Sequence, residues 1–95
     1  MSLNRRNPRR DLNQSHIRRM LQVHGCDTHP VSGAGVPDLA CFYRGRLFLL
    51  EVKSAKGKLT PAQLKFWDDH KGWPLYICRD VDEVPGLLDT VLASR

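Results

Sequence analysis

Long apolar runs are missing from this 95-residue chain, and no window approaches the roughly 18 consecutive apolar residues of a membrane-spanning helix. The arginine-rich start likewise lacks the apolar stretch and small-residue cleavage site of a secretory signal, so a soluble, intracellular protein is expected. Cysteine is scarce. Cys26, Cys41 and Cys78 cannot all pair within the chain and sit among core-type residues, so no disulfide framework is expected. The Cys-x-x-Cys spacing of common zinc sites is absent around His24, Cys26, His29 and Cys41, which read as buried thiols and ordinary histidines. Length is limiting too, since 95 residues with 41% apolar content support one modest core and no second domain.

Acidic residues are nearly absent from the first 25 positions. Arg5, Arg6, Arg9, Arg10, Arg18 and Arg19 stand there against Asp11 alone, whereas nine Lys and Arg balance nine Asp and Glu from residue 26 onward. The whole +5 excess of the chain therefore lies at its N-terminal end. That suits a polyanion such as nucleic acid or an acidic membrane surface, and a solubilising arm is the plainer reading of the same composition. Residues 1–12 read as a basic arm and residues 13–95 as the folded domain.

Ile17, Met20, Leu21 and His24 recur at i, i+3, i+4 and i+7 and predict a helix from near Asp11 or Asn13, closed by Gly25, with Arg18 and Arg19 on its other side. Residues 26–31 read as a short strand that Pro30 confines to an edge or an end. Residues 39–43 and 47–52 are nearly continuous in apolar residues and flank Arg44-Gly45-Arg46. This is the pattern of a hairpin whose strands are covered by helices on both faces. Thr60-Pro61-Ala62-Gln63 is a capping box with proline at the first helical position, so a helix runs from there to Lys71 and stops at Gly72. Residues 75–78 then read as a buried strand, and a last helix covers 83–93 after Asp80 or Asp82. The order, helix, three strands, helix, strand, helix, gives an α/β fold with a mixed sheet flanked by helices.

Asp38 and Glu51 are acids within apolar strands, where an ionised carboxylate is costly to bury unless it is paired or bound to metal. With a two-residue turn at Arg44-Gly45, residue i pairs with residue 89 − i, so Asp38 lies opposite Glu51 on one face. Lys53, two residues after Glu51, shares that face. Two carboxylates so placed repel each other, which argues for a cation between them. A hard divalent ion with an ammonium alongside suits phosphodiester hydrolysis, the ion acidifying a bound water and Lys53 positioning that water or stabilising developing charge. The inference hangs on register. A three-residue loop or a bulge at Gly45 sends one acid to the other face, leaving Glu51 and Lys53 as a surface ion pair and Asp38 as a turn cap.

Gly35-x-Pro37-Asp38, followed thirteen positions after the aspartate by Glu51-Val52-Lys53, resembles the PD-(D/E)xK nuclease signature. With the Ser32-Gly33 loop before it and Lys58-Leu59-Thr60-Pro61-Ala62-Gln63 after it, the chain resembles more narrowly the VRR-NUC family, the virus-type replication-repair nucleases, over about residues 13–90. The resemblance implies a restriction-endonuclease-like αβββαβ core and Mg²⁺- or Mn²⁺-dependent cleavage of DNA. It implies metal ligation by Asp38, Glu51 and the backbone carbonyl of Val52, with Lys53 as the catalytic lysine and Gln63 as an active-site residue. The capping box gives the same Gln63 amide a purely local job. DNA contacts would fall to Arg5, Arg6, Arg9, Arg10, Arg18 and Arg19, and to Ser32, Lys56 and Lys58 around the motif. Superfamily members often carry a further glutamate on the first helix, but the glutamates here are Glu51 and Glu83, so one metal ion is expected unless Asp11 reaches the site.

Stand-alone members of this type resemble Holliday-junction resolvases, which act as homodimers on branched DNA such as four-way junctions. A chain this short has little surface with which to grip DNA, and a two-fold dimer matches a symmetric substrate. Phe66, Trp67 and Trp73 are candidates for the dimer face, with core packing as the alternative. A non-catalytic nucleic-acid-binding module on the same fold and the nuclease subunit of a restriction system are the competing functions. The expected setting is cytoplasmic, in a bacterial or phage-encoded protein.

Overall fold

The computed structural model describes residues 8–94. Helix α1 (Pro8–Val23) opens on proline, whose fixed φ and missing N–H suit the first turn of a helix. It begins ahead of the expected Asp11 because this signal lies upstream of the apolar periodicity. Arg9 and Arg10 thus belong to the helix and not to an arm. Ile17 and Leu21 are buried, but His24 is exposed, since the helix has ended at Val23 and Gly25 turns the chain at φ +85°.

Four strands follow in the spatial order β1 (Asp27–Pro30), β2 (Leu39–Tyr43), β3 (Arg46–Val52) and β4 (Leu75–Cys78). β1–β2 and β2–β3 are antiparallel and β3–β4 is parallel, which makes the sheet mixed. Pro30 ends the edge strand β1, where its missing donor does not break a ladder. Arg44 and Gly45 both have positive φ, 49° and 80°, the two-residue turn that matches strand twist. The turn pairs Tyr43 with Arg46 and carries the register through to Leu39 opposite Leu50, so the pairing follows the 89 − i rule.

Helix α2 (Pro61–Asp69) crosses from β3 to β4, and helix α3 (Val84–Ala93) follows a 3₁₀ turn over Val81–Glu83 that Asp80 caps by accepting from the Asp82 N–H. α2 ends two residues before Lys71, where His70 takes the cap position and Gly72, at φ +91°, sits in the following turn. α1 and α3 touch each other and both touch β3, so they cover the same sheet face. The core between them is formed by Leu39, Cys41, Phe48, Leu50 and Val52 of the sheet with Ile17, Leu21, Val84, Leu88 and Val91 of the helices. Burying each large apolar side chain contributes roughly 1.5–3 kcal/mol, and a one-residue slip would turn the whole strand set outward.

The opposite sheet face departs from expectation. α2 meets it at Glu51 through Gln63, but Phe42 and Leu47 on that face remain 47% and 51% exposed. The apolar runs of the hairpin therefore do not mean cover on both sides. β4 is likewise only half-buried except at Cys78, because it is an edge strand with one neighbour. Phe66 and Trp67 are half-buried and Trp73 is exposed, with Phe66 stacked on His70 at 4.0 Å between ring centroids. No helix among the described residues is long and apolar enough to cross a membrane.

Candidate active site

Asp38 stands one residue before β2 and is held from both sides. Its carbonyl accepts from the Val31 N–H at 3.0 Å, continuing the β1–β2 ladder, and its Oδ2 accepts from the Val52 N–H at 2.9 Å. The second bond sets the carboxylate beside the last residues of β3. Extending the observed register by one step places Glu51 directly opposite Asp38, so the two acids share a face as the two-residue turn requires.

Glu51 is fully buried; the Gln63 Nε2 donates to its Oε2 at 3.0 Å and the Lys53 ammonium forms an ion pair with the same oxygen at 3.7 Å. The Lys53 side chain is itself only 11% exposed. Glu51 and Lys53 are therefore no surface ion pair, and β3, which carries Glu51, is an interior strand. The Gln63 amide completes the capping box and also reaches Glu51. Its Oε1 accepts from the Thr60 N–H at 2.9 Å, completing the capping box, while its Nε2 donates to Glu51. An amide has an acceptor end and a donor end, and here they face different partners.

The approach of α2 depends on Gly35. At φ +75° it brings the loop before Pro37 against the first turn of the helix, where a Cβ would lie 2.3 Å from the Ala62 carbonyl oxygen. The glycine thus permits the contact that delivers Gln63 to Glu51.

The Val52 carbonyl, the third ligand that the resemblance implies, belongs to the residue whose N–H donates to Asp38 Oδ2. Two carboxylates and a carbonyl form an all-oxygen donor set, which fits a hard divalent ion such as Mg²⁺ or Mn²⁺ that keeps several waters. Among the described residues no group of three or more His, Cys, Asp and Glu comes together that could hold a metal.

The expected DNA contacts are more scattered. Lys56, Lys58 and Ser32 are exposed, the two lysines on the loop that follows Lys53. Arg19 is exposed on α1, but Arg18 is half-buried, its Nε donating to the Thr28 hydroxyl at 3.2 Å. The expected placement of Arg18 on the outer side of the helix is corrected accordingly. Arg5 and Arg6 lie outside the described residues, as do the side chains of Arg9 and Arg10. Two residues that the motif does not flag also reach this region, Asn13 and Arg79, which hydrogen-bond the backbone around Lys53. Each acts on carbonyls distant in sequence, and no local spacing announces them.

No family model matches the chain, and no curated protein matches it. Among solved structures, one described as "VRR_NUC domain" is similar to it with a TM-score of 0.72, covering 84% of this chain and 94% of that one at 22% identity. At that identity the likeness speaks for architecture. The order of elements, the mixed four-stranded sheet and this match together show that the chain has the restriction-endonuclease-like α/β fold of the VRR_NUC domain.

Proposed function

We propose that this protein is a metal-dependent DNA endonuclease that hydrolyses phosphodiester bonds in branched DNA such as four-way junctions, acting as a homodimer. The observation that carries the reading is the convergence of Asp38, Glu51, Lys53 and Gln63 at one end of one sheet face, with Glu51 fully buried and both Lys53 and Gln63 on its Oε2. Burying a carboxylate in this way is costly and is retained where the group has work to do. A bound Mg²⁺ or Mn²⁺ would neutralise phosphate charge and acidify a water. Asp38, Glu51 and the Val52 carbonyl would hold it.

The chain's own residues account for the rest. Gln63 fixes the Glu51 carboxylate, and the Lys53 ammonium stands next to the same oxygen, where it offers a positive charge to a phosphate in transit. Lys56 and Lys58 extend that positive surface along the loop, and the N-terminal arginines add sequence-independent contacts to the backbone. A two-fold pair of such sites suits cleavage of two strands. The setting proposed with this activity is the cytoplasm, in a bacterial or phage-encoded protein.

Incubation of the full chain with labelled four-way junction, flap and plain duplex, in Mg²⁺ or Mn²⁺ and with chelator, tests the reading, with a sizing column reporting the dimer. Cleavage should require metal and favour the branched substrates. Glu51→Gln and Lys53→Ala should each lower it by at least about 10²-fold, the scale of removing one electrostatic contributor. Undiminished cutting by either variant, or salt-sensitive binding with no cutting in either metal, overturns it. The second outcome leaves a non-catalytic binding module.

A further inference from the structure

Lys53 stands one residue beyond the end of β3, where ladder support runs out. Its N–H donates to the Cys78 carbonyl at 3.1 Å, but β4 stops at Cys78, so its own carbonyl has no strand donor ahead of it. Asn13 of α1 supplies one. Its Nδ2 donates to the Lys53 carbonyl at 3.2 Å and to the Arg79 carbonyl at 3.2 Å, so both N–H bonds of one amide join the ends of β3 and β4.

Arg79 continues the same network. Its Nη1 donates to the Ser54 carbonyl at 2.8 Å and also to the Gly57 carbonyl, while its backbone N–H donates to Glu83 Oε1 at 2.6 Å. Ser54 and Gly57 are the ends of a turn closed by the Gly57 N–H on the Ser54 carbonyl at 3.1 Å. A side-chain atom on Gly57 would stand 3.0 Å from Ser54 Oγ, so this turn is tight. Both half-buried residues thus act on the few peptide units between Lys53 and Lys58.

We infer that Asn13 and Arg79 are positioning residues, a two-sided clamp that sets the backbone of Lys53 and of the turn after it, and thereby the place of the Lys53 ammonium at Glu51. This rests on the nuclease reading for its functional consequence. A long side chain magnifies small rotations at its backbone, and a misplacement of about 1 Å in a catalytic group can lower a rate by about 10²-fold. Through Asn13 the first helix thus supports the backbone beside the site.

The experiment uses the full chain with Asn13→Asp, which keeps the shape and removes the donor, and with Asn13→Ala, Arg79→Ala and Arg79→Lys. Amide hydrogen exchange over residues 53–58 should accelerate about tenfold in Asn13→Asp and Arg79→Ala while exchange in the core strands is unchanged. On the substrate cut by the native chain, kcat should fall about 10- to 100-fold with KM within about threefold, and Arg79→Lys should recover part of the loss. Exchange that rises equally throughout the protein, or kcat within twofold of native, overturns the inference. If the native chain cuts nothing, the nuclease reading falls, and the exchange pattern alone decides whether the clamp exists.

Discussion

Gly35→Ala and Gly45→Ala form a matched pair, because the two glycines have nearly the same positive φ, +75° and +80°, in different surroundings. A non-glycine residue in the left-handed region costs roughly 1–2 kcal/mol, and the stiffer unfolded chain of an alanine variant offsets about 0.4–1 kcal/mol of that. Gly45→Ala meets nothing within 4 Å and should therefore lose only about 0.5–1.5 kcal/mol. Gly35→Ala carries the same conformational term and in addition drives its Cβ to 2.3 Å from the Ala62 carbonyl oxygen and 2.7 Å from its carbon. Both atoms belong to the helix backbone, so no side chain can swing aside. Relief requires the loop and α2 to part by roughly 1 Å. Overpacking of this kind typically costs about 1–3 kcal/mol, which is the expected difference between the variants.

Urea unfolding followed by far-ultraviolet circular dichroism at pH 7 measures both variants on one scale. The separation also predicts a second effect: parting the loop from α2 moves Gln63 away from Glu51, so Gly35→Ala should cleave more slowly even where it is fully folded. Gly45→Ala, at the far end of the hairpin, should cleave normally. Equal destabilisation of the two variants within about 0.5 kcal/mol would refute the close-approach argument, since it would mean that the conformational term alone is at work.

Gln63→Ala should lose about 1 kcal/mol in urea through the cap and also cleave about tenfold more slowly; stability loss with intact cleavage would reduce the amide to a helix cap. Gln63→Glu keeps the capping oxygen but sets a second carboxylate where Nε2 now lies 3.0 Å from Glu51, and should cleave no better than Gln63→Ala. Burial pushes the Cys78 thiol up from 9.0 to about 11, so the native state holds this proton where the unfolded chain has lost it. Its contribution is present below pH 9 and should disappear between pH 9 and 11, by about 2–3 kcal/mol, in urea titrations of native protein compared with Cys78→Ala; parallel curves for the two would refute it. Removal of residues 1–7 should flatten the salt dependence of DNA binding by about 0.9 in log–log slope for each phosphate that Arg5 or Arg6 neutralises, and an unchanged slope would make the arm a solubiliser.

Where a local rule decides the geometry, the sequence can be read directly. Arg44-Gly45 admits the left-handed pair of a two-residue turn, and that turn alone sets Asp38 opposite Glu51; Thr60-Pro61-Ala62-Gln63 marks the start of α2 to the residue. The start of α1 escapes the apolar periodicity because Pro8 precedes the first of its repeating positions. The bare face of the hairpin escapes it for a different reason. A run such as Leu-Ala-Cys-Phe-Tyr satisfies a doubly covered strand, yet only its alternate members Leu39, Cys41 and Tyr43 are buried.

The site divides along the same line. Asp38 and Glu51 stand out because an acid beside or within an apolar strand violates the pattern around it, and a violation needs a physical cause. Asn13 violates nothing. A polar residue on an amphipathic helix is ordinary, and its partners lie 40 and 66 residues away, on carbonyls that every residue possesses. The same holds for Arg79, whose acceptors are again main-chain oxygens. The two acids can therefore be inferred from the company they keep in sequence, whereas the residues that support the backbone of Lys53 become visible only when the ends of β3 and β4 are seen to lack donors of their own.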